Sequence, residues 1–177
     1  MPIFAKSSVS FTPAPAGAHV AVCIDVVDLG ELEVTYNGKT KRQHKVKIVW
    51  QIDEERDDGK PFNVAKRYTL SLHEKAVLRK DLESWRGRQF NPDELQGFDL
   101  EQLIDKGCMV NVVHKQREDS TFANVSAIMK LPKGSVSPKP DSNYIRVCMR
   151  PLAEAPMGEA PPMEGSDIGI TDDDVPF

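Results

Sequence analysis

Apolar and polar residues alternate with a period of two from Lys39 to about Glu55 and again from Cys108 to Leu131, the spacing that puts successive side chains on opposite faces of a strand. His19 to Leu29 is rich in Val and Ile, Gly30 interrupts it, and Glu31 to Tyr36 leads into Asn37-Gly38, the strongest short-range signal for a two-residue hairpin. One long strand bent at Gly30 is expected, with a partner from Lys39 to about Glu55. On that partner Val46, Ile48, Trp50 and Ile52 share the face expected to be inward, while Lys45, Lys47 and Val49 share the other. Asp57-Asp58-Gly59-Lys60-Pro61 predicts a loop, and Asn63 to Leu72 a third strand with Val64, Tyr68, Leu70 and Leu72 on one face.

The period then changes. Leu78, Leu82 and Trp85 recur at helical spacing before Gly87, with Ser71 or His73 available as a cap, so Trp85 is expected to pack rather than to stack on a base. A second short helical piece is predicted from Pro92 to Ile104, with Asp99 ahead of Leu100 and Leu103. Cys108 to Glu118 and Phe122 to Leu131 predict two strands around the turn Asp119-Ser120. The order β-β-β-α-β-β, with a long first strand bent at a glycine, is that of a mainly β, five-stranded oligonucleotide-binding (OB-fold) barrel. Residues 1–18 look like a flexible lead-in and 19–134 like the OB-fold domain. Residues 135–177 look like a Pro-rich, acidic, largely disordered tail with a protein-interaction tip. Eight of the 13 prolines fall in the last 46 residues. There, only Tyr144 to Met149 could add a short strand, and a disordered tether is expected from Pro151 onward.

Charge divides at the same place. All 23 Lys and Arg, and 20 of the 27 acids, lie at or before Arg150, so residues 1–150 carry +3 and the remainder −7 within an overall −4. A mildly basic body with an acidic tail suits nucleic-acid contact by the body. The first ten residues include Lys6, Ser7, Ser8 and Ser10, which leaves no apolar run of signal-peptide or membrane-span length. A cytoplasmic location is therefore expected, and no membrane partner. Cys23, Cys108 and Cys148 form no CxxC pair, so neither a disulfide framework nor a zinc knuckle is indicated, and Cys23 and Cys108 are expected to be buried.

A groove for single strands needs cations for the phosphates and rings for the bases. With the apolar faces inward, Lys45, Lys47, Arg67, Lys115, Arg117, Phe122 and Lys130 point outward, and Lys39, Lys41 and Arg42 extend the stripe along the first hairpin. Phe122 is the first choice for stacking, followed by Tyr36 and Phe62, whereas Trp50 and Tyr68 are expected in the core. The plainer alternative for any single lysine is a solvated strand face. Catalytic motifs are missing: there is no phosphate-cradling glycine loop, no HExxH and no nucleophile elbow, and His19, His44, His73 and His114 stand far apart. Asp53-Glu54-Glu55 with Asp57-Asp58 suggests a nuclease metal site less well than a solvated strand end and turn. Neither catalytic nor metal-binding residues nor a cofactor are expected.

Two resemblances sharpen these expectations. The terminal Asp172-Asp173-Asp174-Val175-Pro176-Phe177 closely resembles the C-terminal tip of bacterial single-stranded DNA-binding proteins, with Val175 in place of an isoleucine. That resemblance implies recruitment of replication, recombination and repair proteins through these six residues, with an acidic solubility tail as the plainer reading. Tyr68-Thr69-Leu70-Ser71-Leu72, Leu82-Glu83-Ser84-Trp85-Arg86-Gly87-Arg88 and Cys108-Met109-Val110-Asn111-Val112-Val113-His114 resemble a family of phage-encoded single-stranded DNA-binding proteins, over roughly residues 17 to 134. This implies non-catalytic coating of single-stranded DNA in phage replication or recombination, in the cytoplasm of a bacterial host. A strand-annealing or recombination adaptor working mainly through the tail is the alternative.

Overall fold

A computed structural model describes residues 12–118 and 120–150. Five strands form one antiparallel sheet: β1 Gly17–Tyr36, β2 Lys39–Glu55, β3 Pro61–Thr69, β4 Gly107–Arg117 and β5 Ser120–Met129, in the spatial order β3-β2-β1-β4-β5. The edge strands β3 and β5 approach each other without pairing, so the sheet is open there. Asn37 and Gly38 both take positive φ, 48° and 75°, as the predicted two-residue turn requires. β1 pairs with β2 along nearly its whole length and with β4 through its first six residues. Two register shifts, between Cys23 and Asp25 and between Asp28 and Gly30, let it bend. At the second, Gly30 takes φ 69° and its N–H donates to Asp28 Oδ1 at 2.8 Å.

Helix α1, Val77–Arg86, buries Leu78, Leu82 and Trp85 and ends at Gly87 in the left-handed conformation. Its N-cap is Ala76, not Ser71 or His73. Those two side chains accept instead from the backbone N–H groups of His73 and Lys75, holding a turn ahead of the helix. The predicted second helical piece divides at Gly97 into α2, Pro92–Gln96, closed by an Asn91–Glu94 capping box, and a 3₁₀ turn, Leu100–Leu103, capped by Asp99. β3 ends at Thr69 rather than Leu72, because Ser71 N–H turns back onto Thr69 O. Leu70 is therefore exposed, while Leu72 packs at the core's margin.

The main core lies between the inner face of the sheet and α1. Trp50 and Trp85 meet there at 6.0 Å, and Tyr68 is buried beside them with its hydroxyl donating to Asp81 of α1 at 2.8 Å. Trp85 Nε1 donates to Gly107 O and Ser84 Oγ to Ile128 O, tying α1 to β4 and β5. Cys23 and Cys108 are buried in this core as expected, and burial pushes the Cys23 thiol up to about 12 and raises Cys108 as well. Of the lead-in, Ala14 is buried. His114 hydrogen-bonds Ala14 O, and His19 hydrogen-bonds Pro15 O.

A second, smaller cluster occupies the outer face: Val22, Ile24 and Val49, with Ala65 and Tyr144 against them. It is covered by a strap, residues 138–150, which the lack of apolar periodicity after Pro132 did not reveal. The amide of Gln51 donates to Lys139 O at 2.8 Å and accepts from Asp141 N–H at 2.7 Å. Asp25, fully buried, accepts from Tyr144 Oη at 3.0 Å, Arg146 Nε at 3.3 Å and Val147 N–H at 2.8 Å. Arg146 also reaches Glu101 at 2.7 Å. Tyr144 to Met149 is thus not a strand but a hydrogen-bonded crossing that finishes in the 3₁₀ turn Val147–Met149. The tether expected from Pro151 and the tip Asp172 to Phe177 lie outside the described residues, as does Asp119 of the β4–β5 turn. Among the described residues no helix is long and apolar enough to cross a membrane.

Candidate nucleic-acid interface

Alternation along β2 decides where each basic residue goes, because both register shifts of the β1–β2 pair place their extra residue on β1 and leave β2 consecutive from Lys39 to Ile52. Val46, Ile48, Trp50 and Ile52 are all buried inward, so Lys39, Lys41, Gln43, Lys45 and Lys47 belong to the outer face. Opposite them across the hairpin stand Tyr36, Val34 and Leu32, paired with Lys39, Lys41 and Gln43. Residues opposite one another share a face. The outer side of the hairpin arm therefore interleaves lysines with two aliphatic side chains and one aromatic ring.

Arg42 falls on the other side, contrary to the sequence expectation of a single stripe. It pairs with Glu33 in register and stands 3.9 Å from Glu31, while the neighbouring inward His44 contacts Asp28 at 2.5 Å. The arm thus carries Lys39, Lys41 and Lys45 on one face, and on the other Arg42 and His44 beside Glu31 and Asp28. The Gly30 N–H and then His44 hold the Asp28 carboxyl below the usual carboxylate range.

The cationic face continues onto β3. Lys45 and Lys47 pair with Thr69 and Arg67, and Lys45 Nζ donates to Thr69 Oγ1 at 2.7 Å, which fixes that lysine along the sheet. Lys47 is half-buried; burial, then the like charges of Arg67 and Arg150, lower its ammonium below the ordinary lysine value, while Asp25 acts in the opposite sense.

Lys115, Arg117 and Phe122 form a separate group. Lys115 pairs with Phe122, and Arg117 with Ser120; all three lie on the outer side, since Val110 and Val112 face inward. The register places this hairpin beyond Gly17, at the end of β1 remote from Tyr36. The half-exposed Phe122 ring is thus set beside a cation but away from the arm. Lys130 joins neither group. A register shift near Ser126 changes the parity of β5, and the Lys130 side chain lies over Gly87 at the end of α1, where a cation complements the helix dipole. Phe62, expected third among stacking rings, is instead buried in the core with Val64. It precedes the predicted start of its strand by one residue, so the alternation was not carried back to it.

Sequence reasoning missed Asp25, Tyr144 and Arg150. A signal for the first existed: Asp25 is the one charge inside Val20-Ala21-Val22-Cys23-Ile24-Asp25-Val26-Val27, and a buried carboxylate demands partners. Tyr144 and Arg146 are those partners, separated from it by far more sequence than periodicity can read. Among the described residues no group of three His, Cys, Asp or Glu is arranged to hold a metal ion. The acids at Asp53 and Glu54 stand 3.9 Å from His19, and Asp58 stands 3.7 Å from Arg56. Comparison with family models gives no match, and neither does comparison with curated proteins.

Proposed function

We propose that this chain binds single-stranded DNA without catalysis and with little sequence preference, through an OB-type barrel whose outer β1–β2–β3 face receives the strand. The observation that carries this reading is the sorting of charge on the β1–β2 arm: Lys39, Lys41, Lys45 and Lys47 share one face with Tyr36, while Arg42 and His44 meet acids on the other. A backbone of phosphates with bases free to stack suits such a face. The OB-type reading is supported by the strand order, by a bent β1 shared between β2 and β4, and by α1 set between β3 and β4 in the chain. The resemblance to phage-encoded single-stranded DNA-binding proteins favours the same reading. The tip Asp172 to Phe177 adds recruitment of replication or recombination proteins.

Titration of fluorescent oligo-dT against salt tests the interface. If four to five phosphates are neutralised, the log-log slope should be roughly −3 to −3.5, and duplex of the same length should bind more weakly. Salt-independent binding, or equal affinity for duplex, rejects the proposal. Charge reversal at Lys41 and Lys45 should weaken all sequences alike, since phosphate contacts carry no base information.

A further inference from the structure

The β1–β2 hairpin outruns the rest of the sheet. β4 leaves β1 at Val22 and β3 leaves β2 at Lys45, so among the described residues 31–36 and 39–43 pair with each other and with no third strand. No residue from 26 to 45 is buried. A two-stranded ribbon without a core of its own has marginal stability and no packing to fix its direction. The bend where it leaves the barrel is the second register shift, with Leu29 as the extra residue of β1. Gly30 has open space where a Cβ would stand, so it is its φ of 69° that calls for glycine there. One oxygen, Asp28 Oδ1, closes this bend: it accepts from Gly30 N–H at 2.8 Å and meets His44 Nε2 of the opposite strand at 2.5 Å. The Thr35–Thr40 and Glu31–Arg42 contacts lie wholly beyond the bend and cannot set its angle.

Lys39 and Lys41 stand beyond the bend, and Lys45, opposite Gly30, and Lys47 stand on its barrel side. A single strand that meets both pairs must cross the bend, so the angle of the arm sets the span to be bridged. We propose that Asp28 and His44 are positioning residues, whose contact fixes the direction of the arm and so holds the two pairs of lysines in one track for a bound single strand. The inference rests on the strand-binding reading above and adds to it two residues that do not touch the strand: Asp28 pairs with the inward Val46, and His44 shares the parity of Val46, on the side away from Lys39 and Lys41. The Gly30 N–H and His44 hold the Asp28 carboxyl low, which keeps it an ionised acceptor at neutral pH. Holding two contact patches in place raises the effective concentration of the second once the first is engaged. Charge alone predicts the reverse, since removing a carboxylate makes the body more basic and should strengthen its hold on phosphates. The sign of the effect therefore separates positioning from electrostatics.

The test uses full-length protein at neutral pH, well below its melting temperature, with oligo-dT of about 4 and about 16 nucleotides, the two ends of the range for one such barrel. Wild type is compared with Asp28→Ala, His44→Ala and His44→Gln, the last of which keeps a donor towards Asp28. Asp28→Ala and His44→Ala should weaken binding of the longer strand by about three- to tenfold and leave that of the shorter one within about twofold, because a strand on one side of the bend does not feel its angle. The salt slope should stay the same, since no phosphate contact is removed. His44→Gln should keep most of the affinity. In the free protein, backbone order parameters of residues 39–43 should fall from about 0.85 towards about 0.6 in Asp28→Ala. If Asp28→Ala binds the longer strand as tightly as wild type or more tightly, or weakens both lengths equally, the positioning role is overturned and the strand-binding reading stands. Unchanged order parameters in Asp28→Ala overturn it as well. If wild type binds neither oligonucleotide, both readings fall.

Discussion

Phe62 and Phe122 are the same side chain used in opposite ways, and strand parity is what separates them. Phe62 belongs with Val64 and Tyr68 inside the core; Phe62→Ala should therefore destabilise by about 3 to 5 kcal/mol, read as a shift in the urea midpoint. Phe122 stands on the outer side opposite Lys115. Phe122→Ala should leave the midpoint nearly unchanged and weaken oligo-dT binding by about 1 to 3 kcal/mol if a base rests on the ring. A large stability loss with unaltered affinity would place that ring in the core instead. At this scale the sequence was legible wherever alternation could be followed without interruption: Val46 to Ile52, and Trp50 and Tyr68 as core. Arg42 departs from the single stripe that a cluster of like charges suggests, because its even parity with Val46 places it on the other face. Asp28 gives a residue-scale test of pH. Its folded carboxyl is held low by the Gly30 N–H and by His44. The stability it contributes is thus present above the unfolded carboxylate value, about 3.9, and is lost as pH falls through the lower folded value. Asp28→Asn should lower the urea midpoint at neutral pH, and the gap from wild type should close with acidification below about pH 4.

Elements were readable where their signals are local. The Asn37-Gly38 turn, the glycine end of α1 and the two-part hairpin of β4 and β5 all depend on residues within a few positions of one another. The strap does not, since its partners lie in β1, β2 and the turn after α2, and nothing in its own sequence has a period. Its attachment is electrostatic as much as apolar. The Arg146 guanidinium neutralises a carboxylate with no exposure to water, and removing one partner of a buried pair leaves the other uncompensated. Arg146→Ala should cost about 3 kcal/mol and raise hydrogen exchange at the Val147 amide. Unchanged exchange there would show that Tyr144 and the backbone suffice to hold the strap.

At the scale of the whole molecule, a basic body and a −7 segment are joined at Arg150, and the proposed division of labour between them separates by truncation. Deletion of Asp172 to Phe177 should leave oligo-dT affinity unchanged or raised, most visibly at low salt where competing carboxylates are least screened, and should abolish capture of replication or recombination proteins. Deletion of Phe177 alone should abolish capture while changing DNA affinity little, because the aspartates remain. Equal capture by all three forms in pull-downs would reduce the tip to a solubility tail.

The contact between Asp25 and the strap also sets an order of events during synthesis. The carboxylate and its three donors are separated by 119 to 122 residues, so the acid emerges from the ribosome long before anything that can neutralise it. At roughly 5 to 20 residues per second, Asp25 waits on the order of ten seconds for those donors, and Val22 and Ile24 beside it wait as long for Tyr144. The strap is consequently the last piece of the sheet's surroundings to be made, and a released chain cut shortly before Pro138 would keep all five strands while leaving the outer apolar cluster uncovered.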